Sequence, residues 1–391
     1  MQKSDTGQSL LNVTIERLLP GGVGLAHADG LTLFVSLAAP GDEVRVKVDR
    51  IQGKVAFASI QEILKPSPVR VEPPCPYFGR CGGCDFQQLT YEGQLQAKVD
   101  IIQDCFQRIA KIGEAVDIKI HRSPEWQYRA RALWQTDAER KWLGYYVRGS
   151  REVCDVEYCG VLVPELQKTL ESLRSAIETA SSVRDIAAVA GDEGVSVDPP
   201  LAGLEAREIT RTIAREGYHF SAKSFFQINH QLLPALIQDA IGDERGHTAI
   251  DLYCGVGLFT IPLARRFSNV IGVEGNERAT RFAKKNLVSA GLNNVQVSTA
   301  DVGNWLANHE ATGKPDLLLL DPPRTGAENK VISGLLALQP SRIVYVSCDP
   351  ATLARDLKKL LAGGYSLDTV NAFDMFPQTH HVETVVRLLA A

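Results

Sequence analysis

A cysteine stands where an apolar run breaks off. In "RIVYVSCDPATLARDL", Arg342 to Leu357, the run Ile343 to Val346 ends at Ser347-Cys348-Asp349-Pro350 and a helical pattern follows. Further on, "DMFPQTHHVETVVRLL" sets His380, His381 and Glu383 beside another strand. A buried cysteine is often only a small hydrophobe. A thiol and a carboxylate brought to one cleft are more than that, because they supply a nucleophile and a base.

The elements that would position this pair begin at about residue 246, where strand, turn and helix alternate. "HTAIDLY", "NVIGVEG", "VQVSTAD", "PDLLLLDPP" and "RIVYVSC" read as strands, with "ERATRFAKKNLVSAG" and "ENKVISGLLALQ" as helical connections. That rhythm predicts a doubly wound parallel sheet covered on both faces, with ligands outside the carboxyl ends of its strands. Asp251, Glu274, Asp301, Asp321 and Cys348 each fall at or just past such an end. One acidic strand end alone is more often a helix cap; a row of polar ends is a site. In "DLYCGVGLFTIPLA", Gly255 and Gly257 allow a tight turn and close approach of backbone to a ligand. Glu274, about twenty residues on, can hold ribose hydroxyls. Thr260 stands where a nicotinamide fingerprint has its third glycine, and "DPPRTG" sets Asp321 in a turn stiffened by Pro322 and Pro323. Both features favour S-adenosylmethionine as the ligand. Cys254, inside the glycine loop, reads as structural.

A methyl donor beside a thiol and a base predicts a particular reaction. Carbon 5 of a pyrimidine is a feeble nucleophile until a thiolate adds at carbon 6 and turns the ring into an enolate. A base then removes the carbon-5 proton so that the thiol can leave, a task that suits sulfur. Methylation of oxygen or nitrogen needs no such covalent step.

The rest of the 391-residue chain is long enough for two or three domains. Residues from about 9 to 64 read as short strands with Gly/Pro punctuation, a small closed barrel. A Pro-rich linker leads to "CPYFGRCGGC", and "YEGQLQAKVDIIQDCFQRI" follows as a helix in which Cys105 packs. Between Lys98 and Arg151 eleven Lys/Arg face seven Asp/Glu with aromatics interleaved, a local basic surface despite a net charge of −4. No apolar run is long enough to cross a bilayer and no secretory signal is evident, so the expectation is a cytoplasmic protein without a membrane partner. Three cysteines within ten residues, in a chain where disulfides are not expected, point to a metal or cluster.

Taken together, "DPPRTG", "IVYVSCDPAT" sixteen residues later and "FDMFPQTHHVE" resemble the RNA uracil-5-methyltransferases, which act on tRNA and 23S rRNA. The resemblance covers nearly the whole chain. It implies an α/β fold: a class I, Rossmann-like methyltransferase domain at 216–391, an N-terminal OB-like barrel at 9–65 that is similar to the RNA-binding TRAM domain, and a central domain at 66–215. Helix 92–112 could pack on the catalytic part and make those boundaries discontinuous. By position, Cys348 is implied as nucleophile and Glu383 as base. Gln227 of "SFFQIN" is implied with Tyr253, Glu274, Asp301 and Asp321 around S-adenosylmethionine. The family carries Asn where this chain has Asp349; a carboxylate there disfavours a thiolate, although a hydrogen-bonded Asp can take over Asn's structural role. The C-x₅-C-x₂-C of Cys75, Cys81 and Cys84, with Cys159, matches the iron–sulfur members of the family, and a 4Fe–4S cluster is favoured over zinc. Gly82 and Gly83 are expected to turn the chain tightly between ligands.

The expectation is therefore a monomeric RNA uracil-5-methyltransferase, with 23S rRNA favoured over tRNA as substrate. Cytosine-5 methylation, an iron–sulfur RNA-binding protein without methyl transfer, and a nicotinamide oxidoreductase are the other readings.

Overall fold

The computed structural model describes residues 10–177, 183–309 and 313–391. Two compact units interleave along the chain: one takes Met1–Asp104, Tyr146–Glu152 and Phe376–His381, the other Cys105–Tyr145, Val153–Met375 and Val382–Ala391.

The first unit opens with β1 (Leu10–Thr14), β2 (Arg17–Leu18), β3 (Gly24–Ala28), β4 (Leu31–Ser36), β5 (Glu43–Gln52) and β6 (Val55–Lys65). They form one sheet in the order β1-β5-β6-β4-β3-β2, antiparallel except where β4 meets β6. Alternation does the sorting: Leu33 and Val35 of β4 and Val44 and Val46 of β5 are fully buried on one face. Asp42, also fully buried, accepts hydrogen bonds from the Ala39 and Ser67 amides and from the Arg70 guanidinium. That cluster fastens the proline-rich linker to the sheet. The cysteine loop follows, then α1 (Tyr91–Cys105).

In the second unit a π-helical turn, Phe106–Ala110, continues from α1, and β7 (Ile118–His121) follows. Next come β8 (Arg131–Asp137), β9 (Trp142–Tyr146), β10 (Val153–Asp155), α2 (Pro164–Ala176), β11 (Asp185–Gly191) and β12 (Gly194–Asp198). These strands pair in the order β10-β9-β8-β11-β12, and Leu166, Leu170 and Leu173 of α2 bury themselves with Trp134 and Ile186. β11 and β12 pair as an antiparallel hairpin. A second hairpin, β13 (Ile209–Ile213) and β14 (Glu216–Phe220), leads to α3 (Leu233–Ile241).

The remaining elements are β15 (Gly246–Leu252), α4 (Thr260–Ala264), β16 (Phe267–Glu274), α5 (Glu277–Ser289), β17 (Val295–Thr299), α6 (Val302–Asn308) and β18 (Leu317–Leu320). They are followed by α7 (Asn329–Leu338), β19 (Arg342–Ser347), α8 (Pro350–Ala362), β20 (Tyr365–Phe373) and β21 (Glu383–Ala390). They make an eight-stranded sheet, β17-β16-β15-β18-β19-β21-β20-β7. The five strands read from sequence are all present and parallel. The order reverses between β15 and β18, the switch point at which such Rossmann-like sheets bind ligands. Leu317 to Leu320 are almost wholly buried, as a central strand covered on both faces requires. Among the described residues no helix is long and apolar enough to cross a membrane.

Candidate active site

The carboxyl edge of the large sheet collects the chemistry. β15 hands over to Tyr253, which takes a left-handed φ of 63°, and then to Gly255 and Gly257 at φ 55° and 93°. β16 ends on Glu274, whose Oε2 accepts the Gly255 amide at 3.1 Å and whose Oε1 accepts the Asn276 amide at 2.7 Å. The glycine loop and the acidic strand end are thus tied together. Buried Cys254 sits beneath the loop, packed within reach of Gly272, and burial first, then Asp251 and Glu274, hold its thiol well above the ordinary range. Its burial agrees with a packing role.

Asp321 directly follows β18, and Cys348 directly follows β19. The last strand runs antiparallel to β19 with Ser347 paired to Thr384. The ladder stops there; Cys348 and Glu383 are the next residues beyond that last pair, and the Glu383 charge reaches the thiol. An antiparallel strand is the only kind whose beginning lies at the carboxyl edge of a parallel sheet, and this explains how two residues far apart in the chain meet. The "DPPRTG" turn is braced against α8. Fully buried Asp356 accepts the Ala327 amide at 2.9 Å and the Tyr345 hydroxyl at 2.8 Å, while Arg355 donates to Asp356 at 2.9 Å and to the Thr325 carbonyl at 3.0 Å.

These neighbours shape the thiol. Burial, then the charges of Glu383 and Asp321, push the Cys348 thiol up to about 12; Arg324 opposes them and Asp349 adds a smaller push. Burial and then Asp321 raise the Glu383 carboxyl well above its usual range, against Arg324. Asp321 is raised to about 7 by burial and Glu274. Asp251 is raised to about 7 by burial, against a 2.5 Å hydrogen bond from the Thr260 hydroxyl, and its Oδ1 has no partner among the described residues. A cleft that crowds carboxyl groups in this way suits a cationic ligand. S-adenosylmethionine, with its sulfonium and ammonium groups, is of that kind.

The sign of this crowding is open to measurement. The folded state keeps protons on Asp251 and Asp321 that the unfolded chain releases above 3.8. Stability of the free protein is expected to fall as pH rises from about 4 to about 7 through this pair, and to change less above it. Thermal denaturation of wild type and Asp321→Asn across that range checks this, the variant having the shallower slope.

The other expected residues are placed as follows. Gln227 is buried in the segment between β14 and α3, close to fully buried Asn229, which bonds the Ser123 hydroxyl at 2.7 Å. Asp301 caps α6 through the Asn304 amide at 2.9 Å and pairs with Lys330 at 2.8 Å; the Lys330 bond comes first among the causes that lower its pKa. Asp349 caps α8 through the Thr352 amide at 2.8 Å, which Asn could equally do. The cap and the charge are therefore separable. Asp349→Asn is expected to keep stability within about 0.5 kcal/mol while Asp349→Ala loses about 1 kcal/mol. The same Asn variant should speed iodoacetamide labelling of Cys348 at fixed pH, as quantified by mass spectrometry.

Arg324 was within a motif seen in the sequence, yet its role was not. It is the cation whose charge reaches both Cys348 and Glu383. His380 turns elsewhere: in the first unit its Nδ1 meets Asp85 Oδ2 at 2.5 Å and its amide donates to Asp85 Oδ1 at 2.8 Å. The neighbouring Gln378 exchanges hydrogen bonds with Gln94 at 3.0 and 2.9 Å.

Cys75, Cys81 and Cys84 lie in a loop of the first unit, and Cys159 precedes α2 in the second. Among the described residues no cysteine is disulfide-bonded. Among the described residues no group of three or more His, Cys, Asp or Glu is gathered to hold a metal ion. Gly82 and Gly83 lie in a turn, as expected, and neither needs a positive φ to make it. Gly82 is needed for space, since a Cβ there would come 3.0 Å from the Tyr146 carbonyl that its own amide bonds at 2.9 Å. The Gly83 amide donates to Cys81 Sγ at 3.4 Å.

A switch-point sheet with a glycine loop, an acidic strand end and a cleft crowded with carboxyl groups defines a methyltransferase of the Rossmann-like kind. Residues 205–304 and 312–391 match the family described as tRNA (uracil-5-)-methyltransferase, and residues 11–69 match the TRAM domain of tRNA (uracil(54)-C(5))-methyltransferase. The 23S rRNA (uracil(1939)-C(5))-methyltransferase RlmD of Alkalilimnicola ehrlichii is 36% identical over 95% of both chains. RlmD of Pseudomonas putida is 33% identical, covering 95% of this chain and 92% of its own. The crystal structure of the Pyrococcus abyssi tRNA (uracil-54, C5)-methyltransferase with S-adenosyl-L-homocysteine superposes with a TM-score of 0.76 at 25% identity, covering 97% of this chain and all of that one. The chain belongs to the S-adenosylmethionine-dependent RNA uracil-5-methyltransferase family.

Proposed function

We propose that this enzyme methylates carbon 5 of a uridine in 23S rRNA through a covalent adduct on Cys348. The observation that supports the reading is that β19 and β21 pair up to Ser347 and Thr384, next to Cys348 and Glu383, with the charges of Glu383 and Asp321 acting on the thiol. The Cys348 sulfur adds to carbon 6, and the carbon 5–carbon 6 π pair moves toward the carbonyl oxygen at carbon 4. Carbon 5 then attacks the methyl group of S-adenosylmethionine, whose carbon–sulfur bond breaks with its pair left on sulfur. Glu383 takes the carbon-5 proton, the freed pair restores the double bond, and the carbon 6–sulfur bond breaks to return the thiolate. A carboxylate lifted by burial is a stronger base for that proton. Arg324 favours the charged forms of both groups. Gln227, Tyr253, Glu274, Asp301 and Asp321 line the S-adenosylmethionine site.

The preference for 23S rRNA rests on the relatives named RlmD; tRNA is the competing substrate. The six-stranded sheet of the TRAM domain acts as an OB-like RNA-binding barrel, and the parts 9–65, 66–215 and 216–391 work as RNA-binding, central and catalytic regions of a cytoplasmic monomer. Cys75, Cys81, Cys84 and Cys159 hold a 4Fe–4S cluster. Zinc sites more often come as two C-x₂-C pairs, so the C-x₅-C-x₂-C spacing suits a cluster better than zinc. Iron and sulfide counts on anaerobically purified protein test this independently of activity.

The test of function offers unmodified 23S rRNA and tRNA to the purified enzyme and maps 5-methyluridine. A single modified uridine in 23S rRNA supports the proposal; modification of tRNA alone overturns the substrate, and no 5-methyluridine in either overturns the reaction.

A further inference from the structure

The second unit contains a cavity of about 380 Å³ whose lining includes Trp126, Tyr128, Glu165, Arg211, His230 and Gln231. Three chain segments are joined to make it. The Gln127 amide donates to the Gly160 carbonyl at 3.0 Å, the Arg129 amide to Val161 at 2.8 Å and the Ala130 amide to Ile228 at 2.7 Å. Trp126 packs directly on the backbone at Gly160, where an added Cβ would come 3.2 Å from the indole. Trp126 is partly exposed and lines the cavity. This is the basic, aromatic stretch singled out in the sequence and left without a role by the methyl-transfer site.

Two polar atoms of the lining have no protein partner among the described residues: His230 Nε2 and Arg211 Nε. His230 also hydrogen-bonds the Gln227 carbonyl. With Nε2 unpartnered, that bond is made through Nδ1, which therefore carries the proton. Burial, then Arg211, push the imidazole pKa down to about 3, so the ring is neutral and Nε2 is an open acceptor. Arg211 Nη1 is held by Asp192 at 2.9 Å, and its Nε–H is an open donor. A neutral histidine, a guanidinium already paired and a carboxylate at Glu165 make a poor phosphate site. An aromatic face with one donor and one acceptor suits the face and edge of a nucleobase.

We propose that this cavity takes a nucleobase of the RNA substrate other than the methylated uracil, stacked on Trp126 with its edge bonded to His230 and Arg211. The inference rests on the proposed RNA methylation. It adds a second base-binding site on the chain segment that also carries Gln227, so that seating a second base and positioning the cofactor-facing segment are linked.

The test compares wild type, Trp126→Ala and Trp126→Phe in RNA methylation, and maps ultraviolet crosslinks of wild type to RNA and, separately, to AMP. Trp126→Ala is expected to raise the KM for RNA roughly 5- to 100-fold, leaving S-adenosylmethionine affinity within about twofold, and Trp126→Phe to recover most of the loss. RNA should crosslink at Trp126 or His230. An unchanged RNA KM in folded Trp126→Ala, or crosslinks that avoid this cavity, would overturn the proposal. A crosslink to AMP but not to RNA would overturn it in favour of a free-nucleotide site. Should Trp126→Ala fail to fold, Trp126→Phe and the wild-type crosslink decide. Crosslinking needs no turnover, so an enzyme that binds RNA here without methylating it would sink the proposed function and leave this inference standing.

Discussion

Cys348→Ala is expected to lower RNA methylation by at least ~10⁴-fold and to abolish any RNA–protein adduct that survives denaturation. The magnitude follows from the role proposed for the sulfur. Without addition at carbon 6 there is no enolate, and carbon 5 has no pair to offer the methyl group. The substitution removes a half-buried thiol from a strand end whose backbone is held by β21 and by the α8 cap, so the fold should survive it. Cofactor binding, measured by calorimetry, should change little. The other buried cysteines serve as the comparison: Cys254→Ala touches packing under the glycine loop and should leave the adduct intact.

Glu383→Gln is expected to separate the two halves of the reaction. Addition and methyl transfer need no proton acceptor at carbon 5, whereas release does. Turnover should fall by roughly 10²- to 10⁴-fold while the covalent RNA complex accumulates on denaturing gels. The substitution also removes a carboxyl raised by burial, Asp321 being the next cause. Because the folded state holds that proton more tightly than the unfolded chain, stability contributed by Glu383 is lost as pH rises above the usual carboxylate range. The Gln variant should therefore lose less stability than wild type between acid and neutral pH. A variant that lost turnover without accumulating the complex would place the base elsewhere.

Much of the catalytic half was legible because buried parallel strands announce themselves. Ile343 to Val346 and Leu317 to Leu320 can only be central strands, and the polar residue that stops each run marks the carboxyl edge. The pairing of Cys348 with Glu383 could be suspected from residue types, but the antiparallel return of β21 that brings them together is a tertiary fact. β7 went unread for the same reason: "IKIH" is four residues with little pattern, and only its place beside β20 makes it a strand of the large sheet. Asp85 and His380 are 295 positions apart, and no local signal links them. Asp301 illustrates the opposite case, an acidic strand end that the structure also uses as a helix cap and a partner for Lys330. Arg324 was visible in "DPPRTG", but its influence on two distant groups depends on geometry that a motif does not carry.

Asp349 joins these two levels. In sequence it is a charge beside the proposed nucleophile; in the fold it is the cap that starts α8. The cap explains why a carboxylate is tolerated there, and the charge contributes to a thiol held at about 12 in the free protein. The cationic methyl donor and Arg324 are the groups that would lower it in the working complex.

The most direct test of the covalent mechanism uses substrate RNA carrying 5-fluorouracil in place of uracil, incubated with wild-type enzyme and S-adenosylmethionine. Fluorine cannot leave carbon 5 as a proton does, so the reaction should stop after methyl transfer with the RNA still attached. Mass spectrometry of the digested complex is predicted to find a methylated fluorouridine bonded to the peptide that contains Cys348. Absence of the adduct while ordinary RNA is methylated, or attachment at any of the other seven cysteines, would contradict the account.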